Sequence, residues 1–115
     1  VIELLKPALG ERPIYTLQDV EKEIAEGRSF LWTGERSAIA VSVNDHSTGE
    51  RSLDAWLAGG DLQEILTAVR PIEDWARSAG CTQIHVNGRQ GWGRVLAAQG
   101  YRPWTYTLRK LLDGR

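Results

Sequence analysis

The chain has 115 residues, 42% apolar and 25% charged, with a net charge of −1. That is one domain's worth of chain, and a domain of this size buries roughly two-thirds of the surface its unfolded form exposes. No run reaches the roughly 18 apolar residues of a membrane span, and Glu3 and Lys6 interrupt the apolar start that a secretory leader would need.

Residues 1–9, VIELLKPAL, read as a short helix or an irregular arm, with Pro7 limiting its length. Thr16 and Asp19 form a capping box, Leu17, Val20 and Ile24 follow at helical spacing, and Gly27 stops the helix. Three strands are expected next, over 29–33, 37–43 and 51–58, with turns at 34–35 and 44–50. Connections this short imply an antiparallel meander. Gly59 and Gly60 end it. Asp61 and Glu64 make a second cap pair, and a long helix runs from Leu62 to Ala79 on the apolar row Leu62, Ile65, Leu66, Val69, Ile72, Trp75, Ala76, Ala79. Pro71 inside that row predicts a kink or break. After Gly80 come a strand over 82–87, a short helix over 91–99, and a last strand starting at Tyr101, where Trp104, Tyr106 and Leu108 alternate up to Leu112.

The net charge hides an asymmetry. Residues 1–64 hold 12 acids and 6 bases, while residues 65–115 hold 3 acids and 8 bases. The basic part faces either phosphates or an acidic partner, or it complements the acidic part of its own chain. Cys81 is the only cysteine, so an internal disulfide and a cysteine-based zinc cluster are excluded. His46 and His85 with scattered acids make no metal motif. Five tryptophans, at 32, 56, 75, 92 and 104, read mostly as core, with one or two left as contact surface.

The order helix, three strands, long helix, strand, short helix, strand resembles the Gcn5-related N-acetyltransferase (GNAT) family. The segment ARSAGCTQIHVNGRQGWGRVLAAQGYRPWTYTLRKLL carries most of the likeness, through Ala76, Gly80, Cys81, Gly100 and Tyr101. The likeness covers roughly residues 16–112 and is strongest over 53–112, with residues 1–15 an arm or a shortened first element. The Gly-Trp turn and the Leu108–Leu112 ending are also similar to small phage-encoded members. The resemblance implies one α/β (α+β) domain over residues 1–115, with a mixed, mostly antiparallel sheet flanked by helices. It further implies acetyl-CoA as cofactor and an amine as acetyl acceptor.

Two features that carry catalysis in that family are not matched. The family opens its long helix with a Gln/Arg-x-x-Gly-x-Gly/Ala loop, whose backbone N–H groups hold the pyrophosphate. Here that place reads Gly59-Gly60-Asp61-Leu62-Gln63-Glu64, which sets two carboxylates where the phosphates would lie. The family's general-acid Tyr on the short helix falls on Leu96. Gly88-Arg89-Gln90-Gly91-Trp92-Gly93 has glycine spacing close to the phosphate loop, but only one strand fits after it, so it belongs before the short helix.

The expectation is therefore a GNAT-fold domain without catalysis that serves as a binding or assembly protein, phage-related, acting in the cytoplasm or on a virion. The alternative is an atypical acetyl-CoA-dependent N-acetyltransferase. In that case His85 or Asp54 is the base, and Gly59, Gly60, Arg89 and Arg94 hold the cofactor. Arg89, Trp92 and Arg94 also form a basic and aromatic patch for a protein partner or, as a third reading, a nucleic acid. No metal is expected.

Overall fold

The capping box at Thr16 closes on both sides in the computed structural model, which describes residues 2–88 and 91–114. The Thr16 hydroxyl accepts from the Asp19 amide at 3.2 Å, and the Asp19 carboxylate accepts from the Thr16 amide at 2.8 Å. These bonds start helix α1, Leu17–Ala25, which buries Val20. Gly27 then takes the left-handed φ of +79° that ends the helix. The opening arm, Ile2–Leu9, is a 3-10 helix that buries Leu5 completely.

Strands β1 (Phe30–Thr33), β2 (Ser37–Asp45) and β3 (Arg51–Gly60) form the expected antiparallel meander. Helix α2, Leu62–Ser78, crosses over so that β4, Gln83–Val86, pairs parallel to β3. The sheet is mixed, in the order β1-β2-β3-β4. One face packs Ile39, Val41 and Leu53 against Ile65, Ile72 and Ala76 of α2. The other packs Ala38, Ala40 and Leu57 against Leu5 of the arm and Val20 of α1. The result is one α+β domain with helices on both faces of the sheet. Between Ala40 and Val41 the β2–β3 register shifts, since Ala40 faces Leu57 but Val41 faces Ala55. Trp56 is therefore an extra residue in β3, a bulge.

Three expectations need correction. Pro71 does not break α2, which runs through it. Its ring lies on the exposed face, so the carbonyl it leaves without a donor looks toward water rather than the core. The short helix is also less regular than expected: α3 covers only Gly91–Leu96, and a 3-10 turn, Ala97–Gln99, tightens it into Gly100. Finally, residues 101–111 form no strand. Alternation reports a face fit for burial, but a strand also needs a partner edge, and the adjacent strand β4 is only four residues long.

Candidate functional site

The β3–β4 register places Asp54 directly opposite His85. Parallel pairing turns both side chains to the same face, and His85 Nδ1 meets Asp54 Oδ1 at 2.8 Å. The Asn44 side-chain amide from β2 also donates to Asp54. Ser52, fully buried, adds its hydroxyl at 3.2 Å, and His46 Nε2 meets that hydroxyl at 2.8 Å. Gln83 Oε1 faces His85 Nε2 at 2.9 Å, and the Gln83 amide is held in turn by Glu50 at 2.8 Å. The Trp104 ring lies over His85, centroids 4.8 Å apart. Sequence reasoning named Asp54 and His85. It missed Asn44, Ser52 and Gln83, whose signal is the alternate polar residues on three neighbouring strands, and His46 in the turn after β2.

This cluster is a carboxylate–imidazole pair with no free nitrogen. Nδ1 faces the Asp54 carboxylate and Nε2 the Gln83 carbonyl oxygen, so neither nitrogen is open to a substrate in this arrangement.

The start of α2 is built differently from a phosphate cradle. Asp61 caps the helix by accepting from the Glu64 amide at 3.1 Å. Glu64 does not complete the box. Its carboxylate accepts from the Arg36 amide at 2.9 Å and the Ser37 hydroxyl at 2.7 Å, and meets Arg36 Nε at 3.3 Å. The Arg36 amide, then the Ser37 hydroxyl, hold the Glu64 carboxyl below its ordinary range. The β1–β2 turn is thus folded over the helix N-terminus. Gly59 and Gly60 have packing reasons: a Cβ on Gly59 would lie 1.8 Å from the Leu4 carbonyl oxygen, and one on Gly60 would lie 2.1 Å from that of Arg36.

Beyond Ala55 and Val86 strands β3 and β4 part, since β3 runs on to Gly60 while β4 ends. Trp92 and Leu96 of α3 fill the opening, which leaves an apolar cavity of about 50 Å³. Trp92 also lies under Gly88, where a Cβ would come 2.6 Å from Cδ1. Tyr101 donates to Glu73 at 2.8 Å. Burial, then that bond, raise its phenol well above the ordinary value, so the proton is held tightly. Of the basic and aromatic patch, Arg94 is exposed and Trp92 turns inward, while Arg89 lies outside the described residues.

The architecture matches solved acetyltransferases. An acetyltransferase from Trypanosoma brucei is similar at a TM-score of 0.66 and 13% identity, over 96% of this chain and 89% of that one. Glucosamine-6-phosphate N-acetyltransferase from Arabidopsis thaliana is similar at 0.62 and 14%, over 97% and 88%. Ribosomal-protein-alanine N-acetyltransferase from Brucella melitensis is similar at 0.64 and 14%, over 96% and 90%. The fold is that of the GNAT acetyltransferases. No family model and no curated protein matches the sequence.

Measured against that fold, acetyl-CoA does not fit the groups present. The α2 N-terminus is already capped by Asp61 and covered by the Arg36 turn. A cavity of about 50 Å³ between the parting strands is far below the roughly 300–1,000 Å³ of a ligand pocket.

Proposed function

We propose that this chain is a GNAT-fold domain that has given up acetyl transfer and works as a binding or assembly protein. The observation that carries the reading is the α2 N-terminus. Its Asp61 cap, the Glu64 carboxylate and the Arg36 turn take the place where phosphates would meet backbone N–H groups. The Trp92 plug between β3 and β4 supports the same reading. A phage-related role, in the cytoplasm or on a virion, belongs to this proposal. Among the described residues no helix is long and apolar enough to cross a membrane.

The test is thermal unfolding with millimolar acetyl-CoA. A ligand that binds the native state at 100 times its Kd stabilises it by about 2.7 kcal/mol, which shifts the midpoint by several degrees. No shift is expected, and a clear rise sinks the proposal.

One observation favours the alternative of an atypical N-acetyltransferase: the Asp54–His85 pair, held at 2.8 Å and bordered by Trp104. The named neighbours act on different acceptors, a sugar phosphate and a ribosomal protein, so they support no acceptor for this chain. Calorimetric binding of acetyl-CoA that is lost in His85→Ala, without loss of fold, would bring this alternative forward.

A further inference from the structure

The partners of His85 decide how many protons it carries. Nδ1 lies 2.8 Å from Asp54 Oδ1, and Nε2 lies 2.9 Å from Gln83 Oε1. A carboxylate oxygen and an amide carbonyl oxygen are both acceptors, so each contact needs an N–H from the ring. The orientation of the Gln83 amide is fixed from outside the pair, because its nitrogen donates to Glu50 Oε1 at 2.8 Å. Turning the amide over would set its oxygen against the Glu50 carboxylate, acceptor against acceptor. Asp54 is held from its other side as well. The Asn44 amide donates to it, and the Ser52 hydroxyl donates to it at 3.2 Å. A neutral imidazole has one N–H and satisfies one of the two contacts of His85, whereas an imidazolium satisfies both. The proton shared with Asp54 rests on the ring, the stronger base of the two.

Position gives this charge something to hold. The His85 and Asp54 side chains are 23% and 17% exposed, so water screens their attraction less than at an open surface. The Trp104 ring lies over the imidazole with centroids 4.8 Å apart and planes 33° apart, inside the roughly 6 Å at which a cation meets an aromatic face. Strand β4 depends on such fastening, since it is four residues long and pairs with β3 alone at the edge of the sheet. The other titratable groups near the pair are His46 and Glu50. The His46 ring centroid is 6.4 Å from that of His85, and its Nε2 meets the Ser52 hydroxyl at 2.8 Å. Glu50 reaches His85 only through Gln83. Arg51 and Asp45 pair with each other on the opposite face, where Arg51 donates to the Ala79 carbonyl after α2.

We propose that His85 is an imidazolium clasp, which fastens β4 and Trp104 to β3 while it carries both protons and lets go of Gln83 and Trp104 when it loses one. The sign follows from the contacts. The charged form makes one hydrogen bond and one cation–π contact more than the neutral form. The clasp is therefore closed at the lower pH and opens as the pH rises through the titration of His85. A ring that already holds both protons has no lone pair for a third, so the closed clasp is no general base. The clasp belongs to the free chain and goes beyond the assembly reading, because its readouts involve no acetyl-CoA.

Nitrogen–proton correlation spectra of the two imidazoles, recorded from about pH 5 to about pH 9, test it, because the ring nitrogen shifts separate an imidazolium from either neutral tautomer. His46→Gln assigns the two rings. At the acid end both His85 nitrogens should be protonated, and with rising pH Nε2 should lose its proton while Nδ1 keeps the one facing Asp54. The Trp104 indole resonance, assigned by its loss in Trp104→Phe, should move with the same midpoint. Gln83→Leu removes an acceptor of the charged form and should lower that midpoint by about 0.5 pH or more, an about threefold weaker hold on the proton. Glu50→Ala touches His85 only through the Gln83 amide, and it should lower the midpoint too, even at about 1 M salt, where screening acts within about 3 Å. Asp45→Asn on the opposite face should leave it in place. If Gln83→Leu loses its fold, Glu50→Ala at its exposed position carries the test. A His85 that is neutral at every pH where the chain is folded overturns the proposal. So do a midpoint unmoved by a folded Gln83→Leu or by Glu50→Ala, and a Trp104 resonance that does not follow His85.

Discussion

Gly59 shows how much one missing Cβ decides. Its hydrogen sits under the Leu4 carbonyl, so a methyl there would lie 1.8 Å from that oxygen and force the opening arm off the sheet. Gly59→Ala is expected to lower stability by about 1–3 kcal/mol or more, measured by urea unfolding. Glu64 decides a different contact, the turn over the α2 N-terminus. Its carboxyl is held below its ordinary value of 4.5, so the stability it contributes is present above that pH. It is lost as the pH falls through the lowered value. Glu64→Gln should therefore lower the melting temperature at pH 7 and flatten its fall below about pH 4.5. Tyr101 has the opposite sign. Its phenol is raised above the ordinary 10.0, so above that pH the unfolded chain sheds a proton the native chain keeps. Stability should fall as the pH rises past about 10, and Tyr101→Phe should remove this part of the fall, read from melting curves between pH 8 and 11. The residues of the Asp54–His85 cluster were only half legible. Asp54 and His85 stand out as polar residues in apolar strands. Ser52 and Gln83 stand two residues from Asp54 and His85 on the same strands, but the two pairs meet only through the β3–β4 register, and a parallel register is set by the crossover rather than by local spacing.

At the scale of elements, periodicity and capping carried most of the fold. The α2 row placed Ile65, Val69, Ile72 and Ala76 in the core because 3.6-residue spacing puts them on one face. Ile72→Ala is expected to cost about 2–5 kcal/mol, and the same substitution at exposed Leu62 far less, measured by denaturant unfolding. Trp92 is the element-level contact that local reading left open. Between Gly91 and Gly93, with Arg89 and Arg94 near by, it could pack inward or join a basic patch, and it fills the gap where β3 and β4 part. Trp92→Ala should cost about 3–5 kcal/mol, because it empties that gap. The expected final strand failed for a related reason. Trp104, Tyr106 and Leu108 have strand-like alternation, but pairing depends on an edge that only the assembled molecule offers.

For the whole molecule, similarity to acetyltransferases at 13–14% identity establishes the fold, and function must be argued from the site. The charge asymmetry between the two parts of the chain belongs to this scale. It sets a basic C-terminal part against an acidic N-terminal part, and it predicts that any self-association weakens as salt is raised from low to physiological strength. Sedimentation at two salt concentrations checks this, and a salt-independent Kd would count against an electrostatic share. The sequence by itself determined the helices, the meander, the caps at Thr16 and Asp61, and the absence of a glycine phosphate loop before α2. Each of these depends on neighbours within a few residues, through spacing, capping and φ. Only the tertiary structure decided that Glu64 ties down the β1–β2 turn, that Trp92 closes the strand gap, that Asp54 and His85 meet, and that Tyr106, Leu108 and Leu112 stay in solvent. Those depend on contacts between residues far apart in the chain, which local patterning does not encode.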